Sequence, residues 1–140
     1  MNINIVTFNH EEDLFKKASE LRFKIVVEEF NKDKFAEFDS FDMEAIHYLL
    51  FFNNIPVGVA RSIKSDSKFI IDRFGILNKF RSNGFGSLLI RFIVKDLLHA
   101  KNEIYIEIDN AFAGFFEKNN FKNFGSIDKF KTQLVYSKIK

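Results

Sequence analysis

Between residues 68 and 98 the apolar pattern changes period, and the change falls on two glycines. Lys68 to Leu77 is rich in residues that favour a strand. From Gly84 onward, Leu88, Leu89, Phe92, Ile93, Asp96 and Leu97 lie on a 3.6-residue repeat, which predicts a helix to about Ala100. The segment between, Arg81-Ser82-Asn83-Gly84-Phe85-Gly86-Ser87, must therefore turn the chain from strand to helix. Glycine lets the backbone approach a ligand closely, and the first N–H groups of the following helix have no partner within it. Such a turn is either a bare tight connection or an anion site suited to phosphate.

The rest of the chain supplies elements to build around that turn. A short alternating stretch at about 2–8 predicts a strand, and Leu14, Ala18, Leu21 and Ile25 predict a helix running from an Asn9 cap to about Glu29. Residues 30–44 carry seven charged groups among four Phe and read as a loop with at most a short helical piece. Strands are predicted at 45–52, 55–64 and 68–77, the first two joined by the hairpin signal Asn53-Asn54. After the helix come a strand at 103–108, a short helix at 110–119, and strands at 121–127 and 132–139. This order describes an α+β (mixed α/β) fold: one mixed sheet of six or seven strands with helices on both faces. The 140 residues suit a single domain, 1–140.

Composition removes several classes of function. No apolar run approaches the roughly 18 residues of a membrane span, and the N-terminus has neither a signal nor a transit pattern. The absence of cysteine excludes disulfides, thiolate metal sites and cysteine nucleophiles, and fits a reducing, cytoplasmic setting. A net charge of +2 does not argue for nucleic acid. Twenty of the residues are Phe and none is Trp. With the many Ile, Lys and Asn, this suggests an A/T-rich coding sequence, so a Phe stripe is weak evidence for a base-stacking platform.

Four phosphate or nucleotide motifs can be laid on the turn. A Walker loop needs a Lys after its second Gly, where Ser87 stands. A dinucleotide fingerprint needs a third Gly where Leu89 stands. An RNA-recognition signature needs a strand with aromatics at Ser87 and Ile90. The fourth fits: the segment resembles the acetyl-CoA pyrophosphate loop of the GNAT N-acetyltransferase superfamily, Arg/Gln-x-x-Gly-x-Gly/Ala. Ile71 to Arg81 is similar to the fourth strand that leads into that loop. Asn110-Ala111-Phe112-Ala113-Gly114-Phe115-Phe116-Glu117-Lys118-Asn119-Asn120-Phe121 resembles the second motif, Asn-x-x-Ala-x-x-Phe-Tyr-Glu-Lys-x-Gly-Phe. Leu21 to Glu29, Asp39, Asp42, His47 and Pro56 to Arg61 are similar to the small bacterial YjcF-like branch, whose C-terminal pattern is absent here.

The resemblance implies transfer of an acetyl group from acetyl-CoA, as cosubstrate, to an amine by direct attack, with no metal and no covalent enzyme intermediate. It implies a sheet splayed between the fourth and fifth strands. It implies a cofactor site at Ile76, Leu77, Arg81, Ser82, Asn83, Gly84, Phe85, Gly86, Ser87, Asn110, Phe115 and Phe116. Arg81 would oppose the pyrophosphate charge, a backbone N–H near Ile76 would face the thioester oxygen, and Asn110 would bond the pantetheine arm. An alkyl amine must lose a proton before attacking. Candidate bases are Asp72, taken to share side-chain parity with Phe74 and Ile76, the helix-end acids Glu28 and Glu29, and His47. Phe116 stands where the family's Tyr would protonate the departing thiolate, and Tyr136 is a candidate substitute. If Phe116 silences the chemistry, a CoA-binding protein with little catalysis is the alternative; an RNA-binding module is a remote one. The acids Asp33, Glu37, Asp39, Asp42 and Glu44 would favour a cationic small-molecule or peptide acceptor. Arg22, Arg61 and Arg73 would pair with local acids. No nucleic-acid or membrane partner is expected, and the chain is expected to be a monomer or homodimer.

Overall fold

A computed structural model describes residues 2–29, 38–98, 100, 102–127 and 131–136. Strands β1 (Ile3–Phe8), β2 (Ile46–Phe52), β3 (Ile55–Ser65), β4 (Lys68–Ile76), β5 (Glu103–Asp109), β6 (Phe121–Ser126) and β7 (Lys131–Tyr136) form one mixed sheet in the order β1-β2-β3-β4-β5-β7-β6. Every pairing is antiparallel except β4 with β5. A parallel pair needs a crossover, and helix α2 (Phe85–Leu98) supplies it. Helix α1 (Leu14–Arg22) continues as a π-helical stretch, Phe23–Glu29, and helix α3 (Ala113–Glu117) is short. Among the described residues no helix is long and apolar enough to cross a membrane.

The sheet divides the core in two. On one face Ala18, Leu21 and Ile25 pack on Phe8, Leu49 and Val59. On the other, Leu89, Ile90, Ile93 and Leu97 of α2 pack on Tyr48, Leu50, Ile71, Ile104 and Ile106, with Phe116 and Phe121 extending the cluster toward the β6 edge. Alternation along β2 explains both faces, since His47 and Leu49 look one way and Tyr48 and Leu50 the other. The hairpin between β2 and β3 turns on Asn53 and Asn54 at φ 49° and 69°, the left-handed pair that a two-residue connection requires.

Two element boundaries depart from the sequence expectation, and the charged loop matches it where it is described. Asn9 does act locally, accepting from the Glu11 N–H at 2.9 Å while Glu12 returns a bond to the Asn9 N–H at 3.0 Å. Tight turns follow, however, and the helix proper begins at Leu14. The helix expected over 110–119 is a 3-10 turn, Asn110–Phe112, followed by α3. Within the charged loop, Ser40–Met43 forms a single 3-10 turn capped by Asp39, whose carboxylate accepts from the Phe41 N–H at 3.1 Å. Residues 30–37 of that loop, with Asp33 and Glu37, lie outside the described residues, as does the end of the last expected strand beyond Tyr136.

Candidate active site

The β4–β5 ladder runs only from Lys68 with Glu103 to Ile71 with Ile106. Beyond it β4 stays paired with β3, and β5 stays paired with β7. The two central strands part, and the wedge between them opens into a cavity of about 350 Å³. Its walls are Phe74, Gly75 and Ile76 from β4, Ile108 from β5, the turn residues Phe80 to Ser82 and Gly84 to Ser87, and Phe112, Phe115 and Phe116 beside α3.

The glycine turn forms the mouth of this wedge. Ser82 and Gly84 take left-handed φ values of 65° and 82°. A side chain on Gly84 would be strained there for that reason, although the space around it is open. Gly86 is constrained differently: a Cβ on it would sit 2.9 Å from Cζ of Phe115. Leu88 is the first residue after the turn whose N–H reaches back to a carbonyl, that of Gly84 at 3.1 Å. The N–H groups that open the helix are thereby left to a ligand. The turn thus sets helix-opening N–H groups, of the kind that suit an anion, at one end of an apolar slot.

Arg81 does not face those groups. Its Nε donates to the Ile76 carbonyl at 2.8 Å, Nη1 to Asn78 at 3.1 Å and Nη2 to Glu29 Oε1 at 2.8 Å. Glu29 also accepts from the Asn78 N–H at 3.1 Å. Arg81 therefore braces the turn to the end of β4 and to the π-helical stretch, where the sequence had suggested a counter-charge for phosphate. The Leu77 N–H donates to Val57 on β3 at 2.8 Å. By alternation, the polar groups of Ile76 point away from β3, toward the wedge. The Ile76 carbonyl is taken by Arg81; its N–H faces the same side.

The sequence-derived site residues divide by position. Ile76, Arg81, Ser82, Gly84, Phe85, Gly86, Ser87, Phe115 and Phe116 all line the cavity. Leu77 packs instead on the α1 face, and Asn83 turns its amide back onto the carbonyls of Phe80 and Arg81. The Asn110 side chain accepts from the Thr132 hydroxyl of β7 and is not among the lining residues. Phe74, Gly75, Phe80, Ile108 and Phe112 line the cavity without having been singled out. Phe74 could be found from the alternation it shares with Ile76; the others occupy no motif position that marks them.

The register of β3 with β4 puts Asp72 on a different face from Phe74 and Ile76, against the expected parity. Arg61 opposes Asp72 and Val59 opposes Gly75, so Arg73 and Phe74 together stand against Ala60. This β-bulge flips the alternation, and Asp72 falls on the α1 face while Phe74 and Ile76 face the wedge. Asp72 is held there by Arg61, Nε to Oδ1 at 2.7 Å and Nη2 to Oδ2 at 3.1 Å. It belongs to a cluster of three arginines and three aspartates, buried around Arg61 and partly open at Asp39 and Arg73. Arg61, 1% exposed, also holds both oxygens of Asp39 and one of Asp42, and Arg22 holds the same Asp42 oxygen at 2.7 Å. Burial would lower the Arg61 pKa, but the hydrogen bonds it donates to Asp39 and Asp72 raise it overall. The Arg61 hydrogen bond in turn holds Asp39 below the ordinary carboxylate range.

His47 is fully buried, stacked on Phe8 and edge-on to Phe15, with Nε2 at 2.9 Å from the Asp42 carbonyl. Burial pushes its pKa down. It cannot reach a substrate in the wedge. Tyr136 packs against Phe121 and lines a separate hollow with Ile90, Val94 and Asn119. Glu28 borders a shallow depression with Phe23 and Phe38. Among the described residues, Glu29 is the candidate base that bonds a residue lining the cavity, Arg81. Phe116 is 2% exposed, with its ring 5.1 Å from Phe74, 4.8 Å from Phe115 and 6.0 Å from Phe121.

Comparison with known proteins places this wedge in context. A model of the Acetyltransferase (GNAT) family matches residues 11–121. A Bacillus subtilis (strain 168) protein named "Putative acetyltransferase BSU40680" is 29% identical over 126 residues, covering 86% of this chain and 84% of that protein. The fold is shared with Escherichia coli ElaA, at a TM-score of 0.84 and 19% identity over 97% of this chain and 100% of that one. It is shared too with a GNAT family acetyltransferase from Elizabethkingia anophelis solved with acetyl-CoA bound, at a TM-score of 0.70 and 16% identity over 97% and 98% of the two chains. The family match runs through the first helix, the splayed strand pair, the glycine turn and the second motif, and on that ground the chain belongs to the GNAT acetyltransferase family.

Proposed function

We propose that this protein transfers an acetyl group from acetyl-CoA to an alkyl amine by direct attack within a ternary complex. The observation that carries the reading is the wedge itself, an apolar slot between β4 and β5 that ends on the glycine turn. A pyrophosphate would take the N–H groups of Ser82 to Gly86 at the start of α2. A pantetheine arm would lie along Phe74 to Ile76, and the thioester oxygen would meet an N–H aimed from the edge of β4. The amine nitrogen bonds to the acyl carbon, the carbon–sulfur bond breaks with its electron pair passing to sulfur, a base takes the nitrogen's proton, and the CoA thiolate leaves and takes a proton from solvent. Glu29, which holds the cavity-lining Arg81, would receive that proton once its ion pair with Arg81 opens. Asp39 and Asp42 are consumed by Arg61 and its neighbours, so they offer no free charge to a cationic acceptor.

Phe116 supports a second reading, a CoA-binding protein with little turnover, because a buried phenyl ring supplies no proton to the departing sulfur. A thiolate, with a conjugate acid near 8.5, is already a fair leaving group, so loss of the acid should cost only about 10²-fold. Two measurements separate these readings. Titration calorimetry with acetyl-CoA tests the wedge, and absence of heat at millimolar ligand removes both. Release of free CoA across a panel of primary amines tests transfer; binding without release on any amine leaves the second reading standing.

A further inference from the structure

Strict alternation along β4 would put Phe74 and Ile76 on the same face as Asp72, under α1. They face the wedge because Arg73 and Phe74 share one partner, Ala60. That arrangement requires a residue out of the strand conformation, and Arg73 is the one, at φ 51°. Arginine has no intrinsic preference for the left-handed region, where a Cβ crowds the backbone. The bulge must therefore be held by what the side chain touches. Arg73 Nη2 donates to Asp39 Oδ2 at 2.9 Å and Nη1 to Asp72 Oδ2 at 3.4 Å. Asp39 stands 34 residues away, at the start of the 3-10 turn ahead of β2. It is itself fixed by Arg61, at 2.7 and 3.0 Å, and by the Phe41 N–H.

We propose that Asp39 and Arg73 are positioning residues for the CoA wedge: their ion pair keeps Arg73 left-handed, and the bulge so held turns Phe74 and Ile76 into the cavity. Neither residue lines the cavity, so they act through β4 alone. The clamp is sheltered rather than sealed, with the Asp39 side chain 32% and the Arg73 side chain 17% exposed. The loop before β2 thus sets the shape of a site on the opposite face of the sheet. In its binding consequence the proposal rests on the acetyl-CoA reading of the wedge; in its structural consequence it does not.

The test compares Arg73→Ala, Arg73→Gly and Asp39→Asn with the parent, by acetyl-CoA calorimetry and by backbone amide NMR of β4. Arg73→Ala and Asp39→Asn should weaken acetyl-CoA at least tenfold and move the amide resonances of Phe74, Gly75 and Ile76. Arg73→Gly lacks the same ion pairs but takes the left-handed conformation freely, so it should recover most of the affinity and return those resonances toward the parent. A merely structural ion pair gives the reverse order, with glycine as damaging as alanine or more so. That order, or parent-like affinity in all three variants, overturns the proposal. If the parent itself binds no acetyl-CoA, the functional reading fails, and the spectra still decide the clamp. Shifts in Arg73→Ala that Arg73→Gly reverses support it, and unmoved resonances in Arg73→Ala refute it.

Discussion

Replacing Arg61 with Met keeps most of the side-chain volume and removes five hydrogen bonds of 2.7–3.1 Å to three aspartates. Arg22 and Arg73 remain, so Asp42 and Asp39 each keep a cation, and Asp72 keeps only the longer contact of 3.4 Å. Six balanced charges become three aspartates against two arginines, in a place where Arg61 itself is 1% exposed. Breaking a buried pair in this way costs about 3–5 kcal/mol, because the stranded carboxylate cannot be hydrated. An unfolding entropy of about 2.1 cal/mol/K per residue gives about 0.29 kcal/mol/K for a chain of this length, so Tm should fall by about 10–17 °C. Thermal melts followed by circular dichroism at pH 7 measure it. The double variant Arg61→Met with Asp72→Asn should recover part of the loss, since it removes the stranded charge. A fall of less than about 3 °C, or a double variant that is the sum of its parts, would refute the claim that Arg61 balances buried carboxylates.

Phe116→Tyr should raise turnover up to about 10²-fold if sulfur protonation limits the rate; if the added hydroxyl is instead trapped among Phe74, Phe115 and Phe121, it costs about 1–3 kcal/mol and lowers Tm without any gain in rate. Gly86→Ala should weaken acetyl-CoA about tenfold, roughly 1.4 kcal/mol, because its Cβ would force the Phe115 ring to tilt out of the cavity wall; parent-like calorimetric affinity would contradict that. Stability should fall in acid in two stages. The folded His47 resists protonation, so its contribution is complete above the unfolded value of 6.5 and is lost as pH drops below it. Asp39, held below its ordinary 3.8, adds a second loss as pH falls further. A Tm that does not change between pH 7.5 and pH 5 at roughly constant ionic strength would remove the first stage, and His47→Phe should abolish it.

What could be read in the sequence was what depends on near neighbours. The Asn53-Asn54 hairpin, the strand-to-helix turn at Gly84 and Gly86, and the apolar faces of both long helices follow from residues within a few positions of one another. So does the parting of β4 from β5, through the motifs that border it. What could not be read was the result of distant pairing. Asp72 is on the wrong face for a base because Arg73 adopts a conformation that its own sequence does not request. Arg81 looks like a phosphate ligand until Glu29, on another element, is seen to hold it. His47 titrates near neutrality as a free side chain, and only the rings of Phe8 and Phe15 show that it is sealed. Asn110 is bonded by Thr132, a residue from β7 that no motif includes.

The missing rungs between β4 and β5 would also tie the lifetime of the protein to any ligand that fills the gap. A sheet whose central ladder stops at Ile71 and Ile106 is under-bonded in its interior, where most proteins are best bonded. Any ligand that carries amide groups into the gap acts as a substitute strand, and it does so only in the folded chain. By mass action, a hundredfold excess over Kd would add about 2.7 kcal/mol to stability. On the unfolding entropy used above, that is about 9 °C in Tm. The population exposed to proteases would fall about a hundredfold with it, so the amount of this protein in a cell would follow the supply of the molecule that fills its wedge.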